Sequence, residues 1–184
     1  NIVYDCAGEE QAEDVFLLNP QTISGGTTNV ARMILEKGAT VKDAVLKSVT
    51  GSENAVFHVK EGAVLTIRDG AEILRCVNKS DPGKGGAICC DYGTIIMTGG
   101  TIAGCQSKGD GGAIHTDGTR VETADHYGIN ARGDIYISGG YITNNTCAAG
   151  KKGGAIYLGN SGPVLHITGT AVISNNFSGT VADD

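Results

Sequence analysis

The sequence contains no tryptophan, three prolines and only 5% aromatic residues. So little proline excludes a collagen or a Pro-rich linker. Positive charge is also in deficit. Fourteen Lys and Arg face twenty Asp and Glu, for a net charge of -6. That balance argues against a nucleic-acid binder, which ordinarily carries a basic excess. No apolar run approaches the ~18–20 residues that a bilayer-crossing helix needs. No cysteine pair has C-x-x-C spacing, which disfavours a structural zinc site. No Gly-x-Ser-x-Gly occurs, and Gly83-Lys84-Gly85-Gly86 lacks the spacing and the following Ser/Thr of a phosphate-binding loop. No cofactor is implied.

What remains is a foldable chain of 184 residues, 40% hydrophobic and 18% charged, of single-domain size and unlike a disordered segment. Its 29 glycines are the marked excess, roughly twice the usual share of about 7%. The six cysteines are an even number, compatible with three disulfides and an oxidising compartment. The chain begins at Asn1 without a leader, and is expected to be a mature or excised piece of a longer polypeptide.

Repetition carries the most information. Gly85-Gly86-Ala87-Ile88 recurs at 111–114 and 153–156. An alternating stretch follows each copy: Ile95-Ile96-Met97, Ile135-Tyr136-Ile137 and Leu165-His166-Ile167, with an earlier copy at Leu65-Thr66-Ile67. Ile67, Met97, Ile137 and Ile167 stand 30, 40 and 30 residues apart. A third element closes each unit, running from Ile73 to Cys76, Ile102 to Cys105, Ile142 to Asn145 and Ile173 to Asn176. Each repeat therefore reads as three short strand-like pieces with period-two alternation. Such pieces cannot bury a face alone, but stacked units bury a continuous apolar column. The expected fold is all-β, a right-handed parallel β-helix of the pectate-lyase-like solenoid type, about five turns long.

The beginning of the chain fits the repeat less well. Residues 1–35 are assigned to an irregular N-terminal cap anchored by Val15-Phe16-Leu17-Leu18, and 36–184 to the repeats. Glu36–Val41 echoes Lys60–Leu65 at a spacing of 24. A strand is preferred near residues 30–37, against a helix between Asn29 and Gly38.

The Gly-Gly-Ala-Ile blocks followed by apolar-x-x-Asn resemble the repeats of chlamydial polymorphic outer-membrane proteins. They also resemble adhesin-like β-helix proteins of gut bacteria and archaea, over roughly residues 60–180. The resemblance implies an extracellular or cell-surface segment of a larger polypeptide, acting as a stalk or as a recognition surface for carbohydrate or a host protein. Charge balance and the lack of long apolar runs add the expectation of no nucleic acid and no direct membrane insertion. Cys76 and Cys105 depart from the pattern by replacing its Asn.

Stacking turns equivalent positions into columns. Cys76, Cys105, Asn145 and Asn176 form one, in which Asn is expected to bond its turn and the neighbouring coil. Cysteines one coil apart fall inside the disulfide window, so a Cys76–Cys105 bridge is expected or, failing that, a stacked thiol pair. Alternation places Cys89, His115 and Tyr157 outward, as surface residues with too few ligands for a closed metal site. Lys79, Lys84, Lys108, Lys151 and Lys152 form a stripe, read either as an anion-binding surface or as protection of the β edge.

One insertion breaks the repeat. The distance from Ile114 to Ile137 is 23 residues, against 9 and 11 in the neighbouring coils. It concentrates Asp117, Arg120, Asp125, His126, Tyr127 and Arg132, the candidate ligand-binding residues. Arg132-Gly133-Asp134 within it matches an integrin-recognition tripeptide, although Asp134 abuts a strand that would hold it. The alternative to recognition is a polysaccharide lyase or glycoside hydrolase, drawing carboxylates from Asp91, Asp110, Asp117, Asp125 and Asp134 with Arg120, Arg132 or His126. Most of these acids sit beside glycine as ordinary turn formers, so catalysis is the weaker reading.

Overall fold

The computed structural model describes residues 3–20, 22–23, 27–28, 31–51, 53–118, 133–159 and 162–179. No described residue is helical. The chain winds as a parallel β-helix whose coils contribute to four parallel sheets. Sheet I contains 3–5, 40–42, 72–74, 101–103, 141–143 and 172–174. Sheet II contains 10–11, 45–46, 77–78, 106–107, 146–148 and 177–179. Sheet III holds 16–18, 57–59, 88–91, 114–117 and 156–158, and sheet IV holds 32–35, 64–67, 94–97, 134–137 and 165–167. Five coils pass through all four sheets, and 172–179 start a sixth.

The expected three pieces per coil are in fact four. The missed one is the two-residue strand of sheet II, such as Val77–Asn78 or Gln106–Ser107. Its buried positions in those coils are polar, so it carries no apolar alternation to read.

The residues are stacked in register. Ile67 pairs with Met97, and Met97 with Ile137. Ile73, Ile102 and Ile142 form the equivalent file on sheet I. All six of these side chains are almost completely buried. Each such burial contributes roughly 1.5–3 kcal/mol, and the files share one core because every coil repeats the pattern. Phe16 stacks on Phe57 at 4.8 Å between ring centroids and meets Tyr4 edge-to-face at 5.3 Å, which extends the core into the first coil with rings.

Residues 3–18 of the segment assigned to a cap already occupy three sheets, pairing with 40–42, 45–46 and 57–59. The stretch before Gly38 is a strand, Arg32–Leu35. Its register pairs Arg32 with Val64 and Thr40 with Glu72, an offset of 32. The echo at 24 therefore links two different corners of the coil.

The Gly-Gly-Ala-Ile block now has a physical basis. Gly85, Gly111 and Gly153 adopt φ of +71°, +76° and +72°, where a side chain is strained. A Cβ on the second glycine, Gly86, would run into the carbonyl oxygen of Gly112 in the next coil. The first glycine turns the chain, and the second lets coils approach.

The corner between sheets I and II repeats as well. Arg75, Asn144 and Asn175 have φ of 52°, 57° and 53°, and Gly104 has 68°. Each turns the following residue inward, which gives the column Cys76, Cys105, Asn145 and Asn176. Asn145 Oδ1 accepts the Cys105 N–H at 2.9 Å, and its Nδ2 donates to Ile102 O at 3.2 Å. All six cysteines are buried free thiols. The expected Cys76–Cys105 bridge is therefore corrected to a stacked thiol pair. Cys76 Sγ points to Leu74 O at 3.6 Å, and Cys105 Sγ to Ala103 O at 3.7 Å. The thiols act as weak donors at carbonyls of the kind that Asn amides reach in the later coils. The contact with Cys105, together with burial, raises the Cys76 pKa well above the ordinary thiol value. The argument from cysteine number to an oxidising compartment lapses with the bridge.

Candidate functional site

Two features stand out from the scaffold. The first lies on the outer side of sheet III. Register places His58, Cys89, His115 and Tyr157 in one outward file, with Asp91 and Asp117 paired beside it. The expectation of surface decoration is overturned here. Cys89 has no exposed surface, and His58 and His115 are 3% and 5% exposed.

His58 lies between two carboxylates. Its Nδ1 is 2.9 Å from Asp14 Oδ2, and its Nε2 is 2.8 Å from Asp91 Oδ2. Two carboxylate acceptors favour the doubly protonated imidazolium, in which both ring nitrogens donate. Burial pulls the His58 pKa down, but the hydrogen bonds to Asp14 and Asp91 outweigh it and leave it raised. Burial likewise opposes ionisation of Asp91, yet His58 and the nearby Lys84 charge hold it well below the usual carboxylate range. Lys60 Nζ reaches Asp91 Oδ2 at 3.1 Å. Lys84 Nζ bridges Glu53 and Asp117, each at 2.8 Å. His115 Nε2 lies 3.1 Å from Asp117 Oδ2. This bond, opposed by burial and aided by Lys84, lowers the Asp117 pKa to about 2. Cys89 Sγ donates to Asp91 Oδ1 at 3.5 Å. Burial and the Asp91 charge push its pKa well above the ordinary value, so it is held as a thiol rather than an activated thiolate. His58, Cys89 and Asp91 can present donor atoms within 4.8 Å of one another.

The second feature is a groove of about 400 Å³ at the corner between sheets IV and I. Glycines of successive coils, Gly70, Gly99, Gly100, Gly139 and Gly140, form part of its lining. Asp69, Glu72, Thr98, Thr101, Tyr141 and Thr170 line it. Tyr141 is 55% exposed. On adjoining sheet IV, Tyr136 stacks on His166 at 4.5 Å with nearly parallel rings.

Of the residues expected to bind ligand, Asp117 is drawn into the sheet III network. Arg120, Asp125, His126, Tyr127 and Arg132 lie outside the described residues. Asp134 of the tripeptide is 2% exposed, and its Oδ1 accepts the Val164 N–H at 2.9 Å. Asp110 bridges two coils, its Oδ1 accepting the Lys152 N–H at 2.7 Å. The lysine stripe is partly engaged, with Lys79 3.5 Å from Glu10 and Lys84 in the network.

The sequence reading passed over His58 and Asp14. Phe57-His58-Val59 lacks a preceding Gly-Gly-Ala-Ile block, so the Cys89 file was traced one coil short. Its only available signal was the spacing of 31 from Ile88 back to Phe57. The groove was missed because the glycines in its lining carry no side-chain pattern to read.

Comparison with protein-family models, with curated proteins and with solved structures returned no match for the chain.

Proposed function

We propose that the chain is a non-catalytic recognition segment of a larger extracellular or cell-surface polypeptide, and that it binds an extended glycan along the corner groove. The observation that carries this reading is the groove itself, lined by glycines of successive coils together with an exposed Tyr141 and three threonines. Sugar rings offer apolar C–H faces to aromatic rings and hydroxyls to polar side chains, and both kinds of partner line this groove. The carboxylates of Asp69 and Glu72 add acceptors for sugar hydroxyls. The repeat in the sequence supports the surface role, through its resemblance to adhesin-like β-helices. Asp91 and Asp117, which a hydrolase or lyase would draw on, are engaged by His58, Lys84 and His115, and this favours recognition over cleavage.

The test is a glycan array followed by titration of the glycans bound, with wild type and Tyr141→Ala, each checked for folding by far-UV circular dichroism. Binding that falls at least tenfold in the variant supports the reading. Binding unaffected by Tyr141→Ala removes the groove from it. Release of reducing ends or unsaturated uronate from the same glycans replaces recognition by the enzymatic alternative.

A further inference from the structure

We propose that His58, Cys89 and Asp91 form a binding site for a zinc-class transition-metal ion on the outer side of sheet III. An imidazole nitrogen, a thiol sulfur and a carboxylate oxygen, all buried, converge within 4.8 Å. This mixed N, S, O set suits a borderline ion such as Zn²⁺ or Co²⁺, and the sulfur disfavours Mg²⁺ or Ca²⁺. The donors come from two adjacent strands rather than loops. Register pairs His58 with Cys89, and Asp91 follows two residues later on the same side of its strand.

Two further observations point to a metal. The first is Asp14. It holds His58 Nδ1 at 2.9 Å, and its own Oδ1 is fixed by the Ala55 N–H at 2.7 Å. A metal-ligating imidazole characteristically has its other N–H on a carboxylate, which orients the ring. Here that arrangement points Nε2 at Asp91. The second is His115, opposite Cys89 in register. Its Nδ1 is the one buried side-chain nitrogen or oxygen among the described residues without a hydrogen-bond partner. Its Nε2 is held by Asp117 at 3.1 Å, and the side chain is 7% exposed. It lies on the strand paired with Cys89 but outside the three donors that converge within 4.8 Å, so water completes the ion's coordination in the proposed site.

Charge balance permits the exchange. A divalent ion displaces one proton from His58 Nε2 and one from Cys89 Sγ, so two positive charges leave as two arrive. The surrounding groups, Asp14, Glu53, Lys60, Lys84, Asp91, His115 and Asp117, then keep the net field they already balance. Lys60, whose side chain is 34% exposed, yields its place on Asp91 Oδ2 to the ion and turns to solvent.

The experiment is Co²⁺ and Zn²⁺ titration of the reduced, intact chain, followed by optical spectroscopy and by calorimetry in buffers of different ionisation enthalpy. The expected result is one ion per chain, a sulfur-to-cobalt charge-transfer band, about two protons released, and a Zn²⁺-dependent rise in Tm. Cys89→Ser removes the band, whereas Cys147→Ser, a buried cysteine of sheet II, retains it. Asp14→Asn weakens binding about 10–100-fold. If His58→Gln fails to fold, X-ray absorption on the wild-type complex reads the ligands directly and must show one sulfur with imidazole. Absence of binding up to millimolar ion overturns the proposal. So does a cobalt spectrum without sulfur ligation, or a charge-transfer band that survives Cys89→Ser.

Discussion

Asn145 and Asn176 are joined across adjacent coils, with Asn176 Oδ1 accepting both the Asn145 N–H and the Asn145 Nδ2–H at 3.0 Å. Asn176 in turn donates to Ile142 O at 3.0 Å. The corner between sheets I and II is thus held by side-chain amides where backbone pairing is interrupted. Asn145→Ala leaves the Cys105 N–H and the Ile102 carbonyl without this partner, at a cost of about 2–3 kcal/mol. Denaturant unfolding of the variant against wild type measures it, and a difference under 0.5 kcal/mol would mean that the amide contributes little.

The glycine block makes a less intuitive prediction. Gly86 has no left-handed backbone, whereas Gly150 has φ +80° and open space around its Cβ position. A conformational argument alone ranks Gly150→Ala as the worse change. The stacking reverses that order, because a methyl at position 86 meets the backbone of two neighbouring segments, at Gly112 and Gln106. Gly86→Ala is expected to cost about 2–3 kcal/mol and Gly150→Ala about 1. Thermal melts of the two variants decide the ranking.

The network around Lys84 predicts acid sensitivity. The Asp117 pKa is 3.8 ordinarily and about 2 when folded. A depressed carboxylate contributes its stability above the unfolded value and loses it as pH falls towards the folded one. Wild type should therefore lose more stability between pH 3.8 and about 2 than Asp117→Asn does, while the variant is already destabilised by about 1–2 kcal/mol at neutral pH. Parallel acid-dependence curves for the two proteins would show that this pair is not coupled to folding.

Ile137 tests the files themselves. It is 2% exposed, so Ile137→Asp places an unpaired carboxylate in the core at a cost of several kcal/mol. Loss of the cooperative thermal transition is expected, and an unchanged Tm would put the residue elsewhere.

The coil geometry was legible wherever apolar alternation met glycine punctuation, as at Leu65–Ile67 and Ile95–Met97. It was not legible in sheet II, because Asn78 and Ser107 are inward residues that hydrogen-bond instead of packing. Asn78 Nδ2, for example, donates to Gly85 O and Asn54 O at 3.0 Å. Alternation also identified the direction in which Cys89 and His115 point, but direction is not exposure. Across that outer face Lys84 reaches Glu53 and Asp117, contacts between residues 31 and 33 apart that no local pattern encodes. Asp14, in the segment read as a cap, is a partner of His58 44 residues away, which no local pattern encodes.

Methyl NOE spectroscopy of an Ile- and Met-labelled sample would report most directly on whether like residues from successive coils share a file. Met97 lies between Ile67 and Ile137 in register, with strands about 4.8 Å apart. The account predicts cross-peaks from the Met97 methyl to both isoleucines and none between Ile67 and Ile137 themselves. A direct Ile67–Ile137 cross-peak, or a Met97 methyl in contact with neither, would contradict it.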